Sequence, residues 1–202
     1  MEKLKFDYKT LEDFTADLDK YNLELPLESD VSLLKQPVQV GNKTIPNRLS
    51  VQPMEGCDAK PDGSPGELTY RRYQRFASGG AGLIWFEATA ASAAGRGKPT
   101  QLYIHKDNVA EFKKLADATR QAGLDANGAA PYLVLQITHA GRYGDGKVIA
   151  VHEPEIDKKS GVDPDKPVIT DEELKALEDD FVEAARLAAG AGFDAVDIKA
   201  CH

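Results

Sequence analysis

The sequence predicts an α/β fold, the N-terminal half of a (β/α)8 TIM barrel built from about four βα units. From about Leu49 onward, the spacing of apolar residues alternates between the period of strands and that of helices, which is typical of parallel βα units. The second strand of the series, residues 82–87, is an almost continuous apolar run, as expected of a strand covered on both faces. The chain has 202 residues, whereas a complete barrel takes about 250, so we expect only part of one.

A helix and a β-hairpin are predicted before the barrel units. Apolar residues recur at helical spacing after Thr10, and Asp13 stands three residues after this N-cap candidate. Residues 37–45 form two short β-like runs around a Gly41-Asn42 turn. We therefore expect two parts in the chain, a helical lead-in and a hairpin with a partial barrel, over residues 1–36 and 37–202.

The barrel units themselves are predicted from strand-like runs, helix caps and glycines. The four strands are expected at about 48–52, 82–87, 132–138 and from Asp194 to the end of the chain. The helices between them are expected at about 67–78, from Asn108 to near Gly123, and from the capping box of Thr170 and Glu173 to about Ala188. Residues 139–169, rich in Gly, Pro, Asp and Lys, are predicted to be a long functional loop.

Composition excludes several classes of function. A net charge of −8, from 33 acidic and 25 basic residues, argues against a nucleic-acid-binding surface, which needs concentrated positive charge. Cys57 and Cys201 are too far apart in sequence to suggest a zinc site or a disulfide framework. We find no secretory signal and no apolar run that could span a bilayer. We expect a soluble, cytoplasmic protein with a small-molecule partner, no membrane association and no metal.

Polar residues follow the C-terminal end of each predicted strand, where barrels of this class carry their reacting groups. These residues are Glu55 and Cys57, Glu87, Gln136 and His139, and Lys199 and His202. We expect them to surround one mouth. Glu87 is equally consistent with a structural hydrogen bond and with a direct role. Gln136 can donate and accept side by side, which suits the edge of a pyrimidine-like ring.

Two sets of basic residues have competing interpretations. Lys199 could form a Schiff base with a carbonyl substrate, or its charge could point to solvent or pair with Asp197 or Glu55. Arg71, Arg72 and Arg75 on the first barrel helix are predicted to form a solvated face with no part in ligand binding.

Five motifs, taken in order, resemble the old yellow enzyme family of FMN-dependent NADH:flavin oxidoreductases. They are Asn47-Arg48-Leu49 with Pro53-Met54, residues 79–84 with Glu87-Ala88-Thr89, Gly95-Arg96, residues 136–142, and residues 191–194. The resemblance extends from about Lys35 to His202, and the ordered series is far more specific than any single motif. It implies that residues 37–202 are part of an FMN-binding domain.

The resemblance also implies the chemistry and the site. NADH or NADPH would reduce FMN, and the flavin would reduce the activated C=C bond of an α,β-unsaturated carbonyl substrate of the enone or enoyl type. The residues expected to line or bind the flavin are Gln52, Pro53, Met54, Glu55, Ala88 and Gln136. Lys199 and His202 would be the catalytic donors that hold the substrate carbonyl oxygen.

Two positions depart from the family pattern. Lys199 stands where the family has His or Asn, and Glu55 where it has Thr or Cys. A carboxylate beside the ring would disfavour the anionic reduced flavin and lower its potential, unless Lys199 neutralises it. We therefore expect the substrate preference and the flavin potential to differ from the family's usual pattern.

The family would supply further parts beyond His202, namely a proton-donating Tyr, an Arg beside the flavin and a phosphate site. We therefore expect residues 1–202 alone to bind FMN poorly, to be inactive, and to self-associate through exposed sheet edges. Two other functions stay open at this point, a Schiff-base TIM-barrel lyase using Lys199 and a non-catalytic half-barrel assembly module.

Overall fold

The computed structural model describes residues 6–200, which form two compact units with the boundary between Leu33 and Leu34. The first unit contains helix α1, Leu11–Lys20. Thr10 Oγ1 accepts a hydrogen bond from Asp13 N (3.1 Å), and the Asp13 carboxylate accepts one from Thr10 N (3.2 Å). The predicted capping box and the helix that it begins are confirmed.

The second unit begins with a two-stranded antiparallel hairpin. Strands β1 (Val38–Val40) and β2 (Lys43–Ile45) pair around Gly41, whose φ of +57° needs the left-handed conformation that glycine adopts freely. This hairpin is the one predicted from the Gly41-Asn42 turn.

A four-stranded parallel sheet forms the centre of the second unit, with its strands in the order β3-β4-β5-β6. The strands are β3 (Ser50–Val51), β4 (Leu83–Ala90), β5 (Tyr132–Thr138) and β6 (Ala195–Ile198). The α-helices of this unit are α2 (Glu67–Ser78), α3 (Val109–Asn127), α4 (Pro154–Ser160) and α5 (Asp171–Gly190). Short 3₁₀ helices span Ser32–Lys35 and Gly141–Tyr143. Neighbouring strands that follow in chain order form a continuous piece of barrel wall, as predicted.

The hydrophobic core lies between the sheet and helices α2, α3 and α5. Ile84, Phe86, Leu133, Leu135 and Ile137 are fully buried on this face. The Phe86 ring stacks on Tyr73 of α2 with 3.8 Å between centroids. Because side chains alternate along a strand, the residues between these, among them Trp85 and Gln136, point to the opposite face. That face is the interior side of the barrel wall.

Several element boundaries differ from the prediction. Strand β3 is shorter, and β4 continues to Ala90 through an irregularity between Phe86 and Thr89. Helix α3 ends at Gly128, with φ of +71°, rather than near Gly123. Gly123 lies inside the helix, where a Cβ would come within 2.8 Å of Pro131 Cδ. This glycine therefore allows close packing of the following loop and does not end the helix.

The long segment after β5 is not irregular throughout, because it contains α4. Asp157 of α4 is buried and pairs with Arg142 and with His152 Nδ1, the latter at 2.8 Å. These contacts fold the segment back on itself. No helix within residues 6–200 is long and apolar enough to cross a membrane.

Candidate active site

The loop after β3 is held in place by a partly buried ion-pair network on its inner side. Arg72 of α2 donates to Asp58 Oδ2 (2.5 Å) and to Glu87 Oε1 (2.5 Å). These hydrogen bonds, with Asp58 the stronger partner, raise the pKa of Arg72. The prediction that Arg72 belongs to a solvated helix face is wrong, because the loop folds over this side of α2 and supplies Asp58 to the guanidinium.

Glu87 connects this network to the loop backbone. Its side chain is 1% exposed, and Oε2 accepts a hydrogen bond from Gly56 N at 2.8 Å. Tyr73 Oη accepts from Glu87 N (2.7 Å) and donates to Glu87 Oε1 (3.2 Å). Burial raises the pKa of Glu87, against the lowering effect of the Gly56 N–H and of Arg72. Of the two interpretations of Glu87, these contacts support the structural one.

The Arg72 guanidinium occupies the space that a side chain at Gly56 would need. A Cβ at this position would lie 2.2 Å from Arg72 Nη2, since the guanidinium packs directly against the loop. The same turn places Cys57 in a left-handed conformation, with φ of +50°, which is costly for a residue with a Cβ. The loop geometry next to Glu55 is therefore imposed by tertiary contacts.

Glu55 lies within ion-pair distance of Lys199 at the end of β6. Lys199 Nζ is 3.8 Å from Glu55 Oε1, and both side chains are partly exposed. Lys199 N donates to Ile137 O at 2.9 Å, which extends the sheet hydrogen bonding past β6. Of the partners considered for Lys199, the structure places Glu55 beside it, whereas Asp197 bonds elsewhere.

Asp197 instead accepts a hydrogen bond from Gln136 Nε2, at 2.7 Å. The two residues are register partners in β6 and β5, so their side chains leave the same face of the sheet. The sequence suggested Asp197 only as a partner of Lys199. Its relation to Gln136 depends on strand register, which no local signal shows.

A cavity of about 240 Å³ opens beside Glu55. It is lined by Glu55, Gly97, Lys98, Gln101, Thr138, Ala140 and Tyr143. Thr138 is 2% exposed, and its Oγ1 is buried without a hydrogen-bond partner in residues 6–200. Buried polar atoms in folded proteins are nearly always paired. This end of the sheet therefore has unused capacity to bind a polar group.

The loop after β4 forms one wall of this cavity and includes Gln101, which no sequence motif indicated. Gln101 is buried, accepts from Gly97 N (2.6 Å) and donates to Ala88 O (3.0 Å). Arg96 donates to Pro61 O (2.9 Å) and to Gln101 O (2.8 Å). These bonds join the loops that follow β3 and β4. Arg96, which makes these bonds, belongs to the Gly95-Arg96 motif that contributed to the family resemblance.

Of the remaining predicted site residues, Gln52, Pro53 and Met54 lie in the loop after β3, and Ala88 lies in β4. Gln52 and Met54 are exposed, Pro53 is partly exposed, and Ala88 is buried. His202 lies outside the described residues. No group of three or more His, Cys, Asp or Glu side chains within residues 6–200 is arranged to hold a metal ion.

His139 lies away from this cavity, in a separate one of about 440 Å³ between helix α5 and the segment after β5. Its Nδ1 accepts a hydrogen bond from Gly141 N at 3.0 Å. Burial lowers the pKa of His139, while the charge of Asp180 acts in the opposite direction. His139 does not line the cavity beside Glu55. It does line a further cavity of about 540 Å³ together with Lys199, so the structure brings His139 and Lys199 to one cavity, as predicted.

Comparison with known proteins bears on this arrangement. Residues 33–202 match the model of the NADH:flavin oxidoreductase / NADH oxidase family. An NADPH dehydrogenase of Listeria monocytogenes serotype 4b (strain CLIP80459) is 33% identical over 177 residues, which cover 85% of this chain and 49% of that protein. The chain spans about half the length of the curated relatives it matches.

Solved structures agree with the sequence match. Morphinone reductase superposes with a TM-score of 0.64 at 29% identity, over 82% of this chain and 47% of that one. The old yellow enzyme from Trypanosoma cruzi superposes with a TM-score of 0.67 at 27% identity, over 83% of this chain and 50% of that one. The predicted partial TIM barrel and the predicted resemblance are both confirmed.

Proposed function

Because the chain belongs to the NADH:flavin oxidoreductase / NADH oxidase family, we propose that it forms the flavin-ring side of the active site of an FMN-dependent NAD(P)H oxidoreductase. The proposed reaction is reduction of a C=C bond conjugated to a carbonyl group, in an enone or enoyl-type substrate. The observation that carries the proposal is that Lys199 pairs with Glu55 of the loop after β3, while Asp197, two positions earlier in the chain, accepts a hydrogen bond from Gln136 of β5.

The polar groups at this end of the sheet fit a flavin ring. Thr138 Oγ1, which lines the cavity beside Glu55, has no hydrogen-bond partner within residues 6–200. An isoalloxazine ring carries polar atoms along its edge that can form a hydrogen bond with this hydroxyl. The residues proposed to hold the ring are Gln52, Pro53, Met54, Glu55, Ala88 and Gln136. When bound, FMN supplies hydride transfer between NAD(P)H and the substrate.

Lys199 is proposed to bind the carbonyl oxygen of the substrate. Its ammonium group lies 3.8 Å from Glu55 Oε1, and it can donate hydrogen bonds to an oxygen that gains negative charge during reduction. Lysine is a flexible point charge, so the neighbouring Glu55 carboxylate helps to hold it in position. His202 is proposed as the second donor by its position in the family motif.

The same ion pair bears on the Schiff-base alternative. A lysine that attacks a carbonyl carbon must be an uncharged amine, whereas a salt bridge with Glu55 suits an ammonium group that donates hydrogen bonds. No contact within residues 6–200 favours the lyase function over the oxidoreductase function.

We also propose that residues 1–202, taken alone, are inactive, bind FMN weakly and self-associate. Strand β6 pairs with β5 on one side only within the described residues, and its Val196 and Ile198 side chains are exposed. An open, apolar strand edge favours pairing with another chain. Sedimentation at micromolar concentration should show species larger than a monomer, and a clean monomer would contradict the proposed self-association.

The proposed activity is tested on protein expressed from the complete reading frame that contains residues 1–202. We expect a yellow preparation whose flavin absorbance is bleached by NADPH or NADH without oxygen and restored by an enone such as 2-cyclohexenone. A colourless protein that does not take up added FMN would refute the function. A control with a saturated ketone, cyclohexanone, should leave the reduced flavin unchanged.

A further inference from the structure

Strand β6 places two charged residues on one face of the sheet. Asp197 and Lys199 are two positions apart, so their side chains leave the strand on the same side. Each contacts a residue of the proposed flavin site on another segment, since Asp197 bonds Gln136 and Lys199 pairs with Glu55. The first of these contacts is the shorter, at 2.7 Å between Gln136 Nε2 and Asp197 Oδ2.

The contact with Asp197 determines which way the Gln136 amide faces. An ionised carboxylate is an acceptor only, whereas a glutamine amide has a donor end and an acceptor end. Asp197 can therefore bond the NH2 group of Gln136 but not its carbonyl oxygen. A rotation of the amide by half a turn would set two acceptors against each other. Gln136 Oε1 accepts no hydrogen bond from the residues that the structure describes, so it stays available.

We propose that Asp197 is the positioning residue that sets the amide orientation of Gln136, so that the site recognises a ring edge carrying an N–H donor. The pyrimidine part of a flavin has such an edge, with an N–H between two carbonyl groups. The inference rests on the proposed FMN site. It adds Asp197 to that site as a residue that affects ligand binding only through its hydrogen bond to Gln136.

A merely structural role for the same contact predicts a different result. If the Gln136–Asp197 hydrogen bond served only to join β5 to β6, its loss would lower stability and leave ligand discrimination unchanged. If Asp197 orients the amide, a variant of equal shape that can both donate and accept will loosen discrimination. Asp197→Asn is that variant, because an asparagine can bond either end of the Gln136 amide.

The experiment compares FMN with N3-methyl-FMN, which lacks the ring N–H, on apoprotein from the complete reading frame. The wild-type protein should bind FMN about tenfold or more tightly than N3-methyl-FMN, because the methylated ring offers no N–H donor to Gln136 Oε1. Asp197→Asn should reduce this ratio to about threefold or less, and Asp197→Glu, which keeps an acceptor-only group, should recover part of it.

Helix α3 offers a matched control. Gln121 Nε2 donates to Asp125 Oδ1 at 2.7 Å on an exposed surface, so Asp125→Asn makes the same chemical change away from the site. This variant should keep the wild-type ratio. Circular dichroism and urea unfolding of each variant separate a change in discrimination from a loss of fold.

A second readout needs no flavin. The side-chain NH2 resonances of Gln136, assigned by their loss in Gln136→Leu, should shift in Asp197→Asn and stay unchanged in Asp125→Asn. The inference is overturned if folded Asp197→Asn keeps the wild-type ratio. If wild type and Asp125→Asn both fail to bind FMN, the proposed function fails and the inference with it, which is a distinguishable outcome.

Discussion

Lys199 Nζ lies 3.8 Å from Glu55 Oε1, so one ion pair joins the loop after β3 to the end of β6. The loop side of this pair is anchored through Gly56 to the buried Glu87, and the strand side by the hydrogen bond from Lys199 N to Ile137 O. The two residues that depart from the family pattern thus form an ion pair with each other. The charges at positions 55 and 199 should be considered together.

The ion pair predicts opposite effects of its two charges on the flavin. Glu55→Thr should raise the flavin potential, because it leaves a positive charge beside the ring, and Lys199→Met should lower it. A shift on the order of 30 mV, or about 1.4 kcal/mol for a two-electron couple, is expected in each case. The double variant should return close to wild type. Redox titration against a reference dye measures this, and single variants that leave the potential unchanged would refute the neutralisation.

Gly56→Ala should destabilise the fold. The new Cβ would lie 2.2 Å from Arg72 Nη2, so the guanidinium would have to leave Asp58 and Glu87 or the loop would have to move. We expect a loss of about 1–3 kcal/mol, measured by urea unfolding. Gly190→Ala is the matched control, since nothing lies within 4 Å of that Cβ at the end of α5. The control should be neutral or stabilising, and equal behaviour of the two variants would count against this packing.

Glu87→Gln should also lower stability, by removing the charge of a buried partner of Arg72. The substitution keeps the shape of the side chain, and Asp58 still pairs with Arg72, so we expect a loss of about 1–3 kcal/mol rather than more. The exposed pair of Lys175 and Glu178 serves for comparison, where Lys175→Ala should cost less than about 1 kcal/mol. Similar losses at both sites would show that the buried Arg72–Glu87 pair contributes no more to stability than an exposed ion pair.

His139 and His152, both in the segment after β5, should have pKa values shifted in opposite directions from the ordinary value of 6.5. Hydrogen bonds to Asp157 Oδ2 and Lys166 O raise the pKa of His152, whereas burial lowers the pKa of His139. His152 thus stabilises the fold below its unfolded pKa, and this contribution is lost as pH rises through the folded value. For His139, stability falls as pH drops from the unfolded pKa toward the lower folded one.

Proton NMR titration of the imidazole resonances checks these directions. Asp157→Asn should bring the pKa of His152 back toward its ordinary value and leave that of His139 unchanged. Two histidines that titrate together in the wild type would contradict the contacts described for both.

Much of the fold follows from local sequence. Thr10 with Asp13, and Thr170 with Glu173, cap their helices through atoms three residues apart, and Gly41 permits its turn by its own φ. The nearly continuous apolar composition of β4 and β5 predicts that both strands are buried. The ordered motifs from Asn47 to Asp194 were sufficient to indicate the family. Such features depend on a residue and its near neighbours, so sequence analysis could predict them.

The site was only partly predictable. The positions of the strand ends predicted that Glu55, Gln136 and Lys199 lie at one mouth, because parallel strands bring their C-terminal ends together, and the structure pairs Lys199 with Glu55. They did not show that Arg72 is held between Asp58 and Glu87, since its surroundings come from a loop that folds over α2. The role of Gln101 was missed for the same reason.

By itself, the sequence determined the helices other than α4, the hairpin, the series of parallel strands and the family to which they belong. Only the tertiary structure decided that Lys199 faces Glu55, that Gln136 bonds Asp197, and that the Arg72 guanidinium packs against Gly56. The physical reason is distance, because ion pairs and hydrogen bonds between segments act over a few ångströms. Strand register and loop packing set those separations, and no single segment contains both partners.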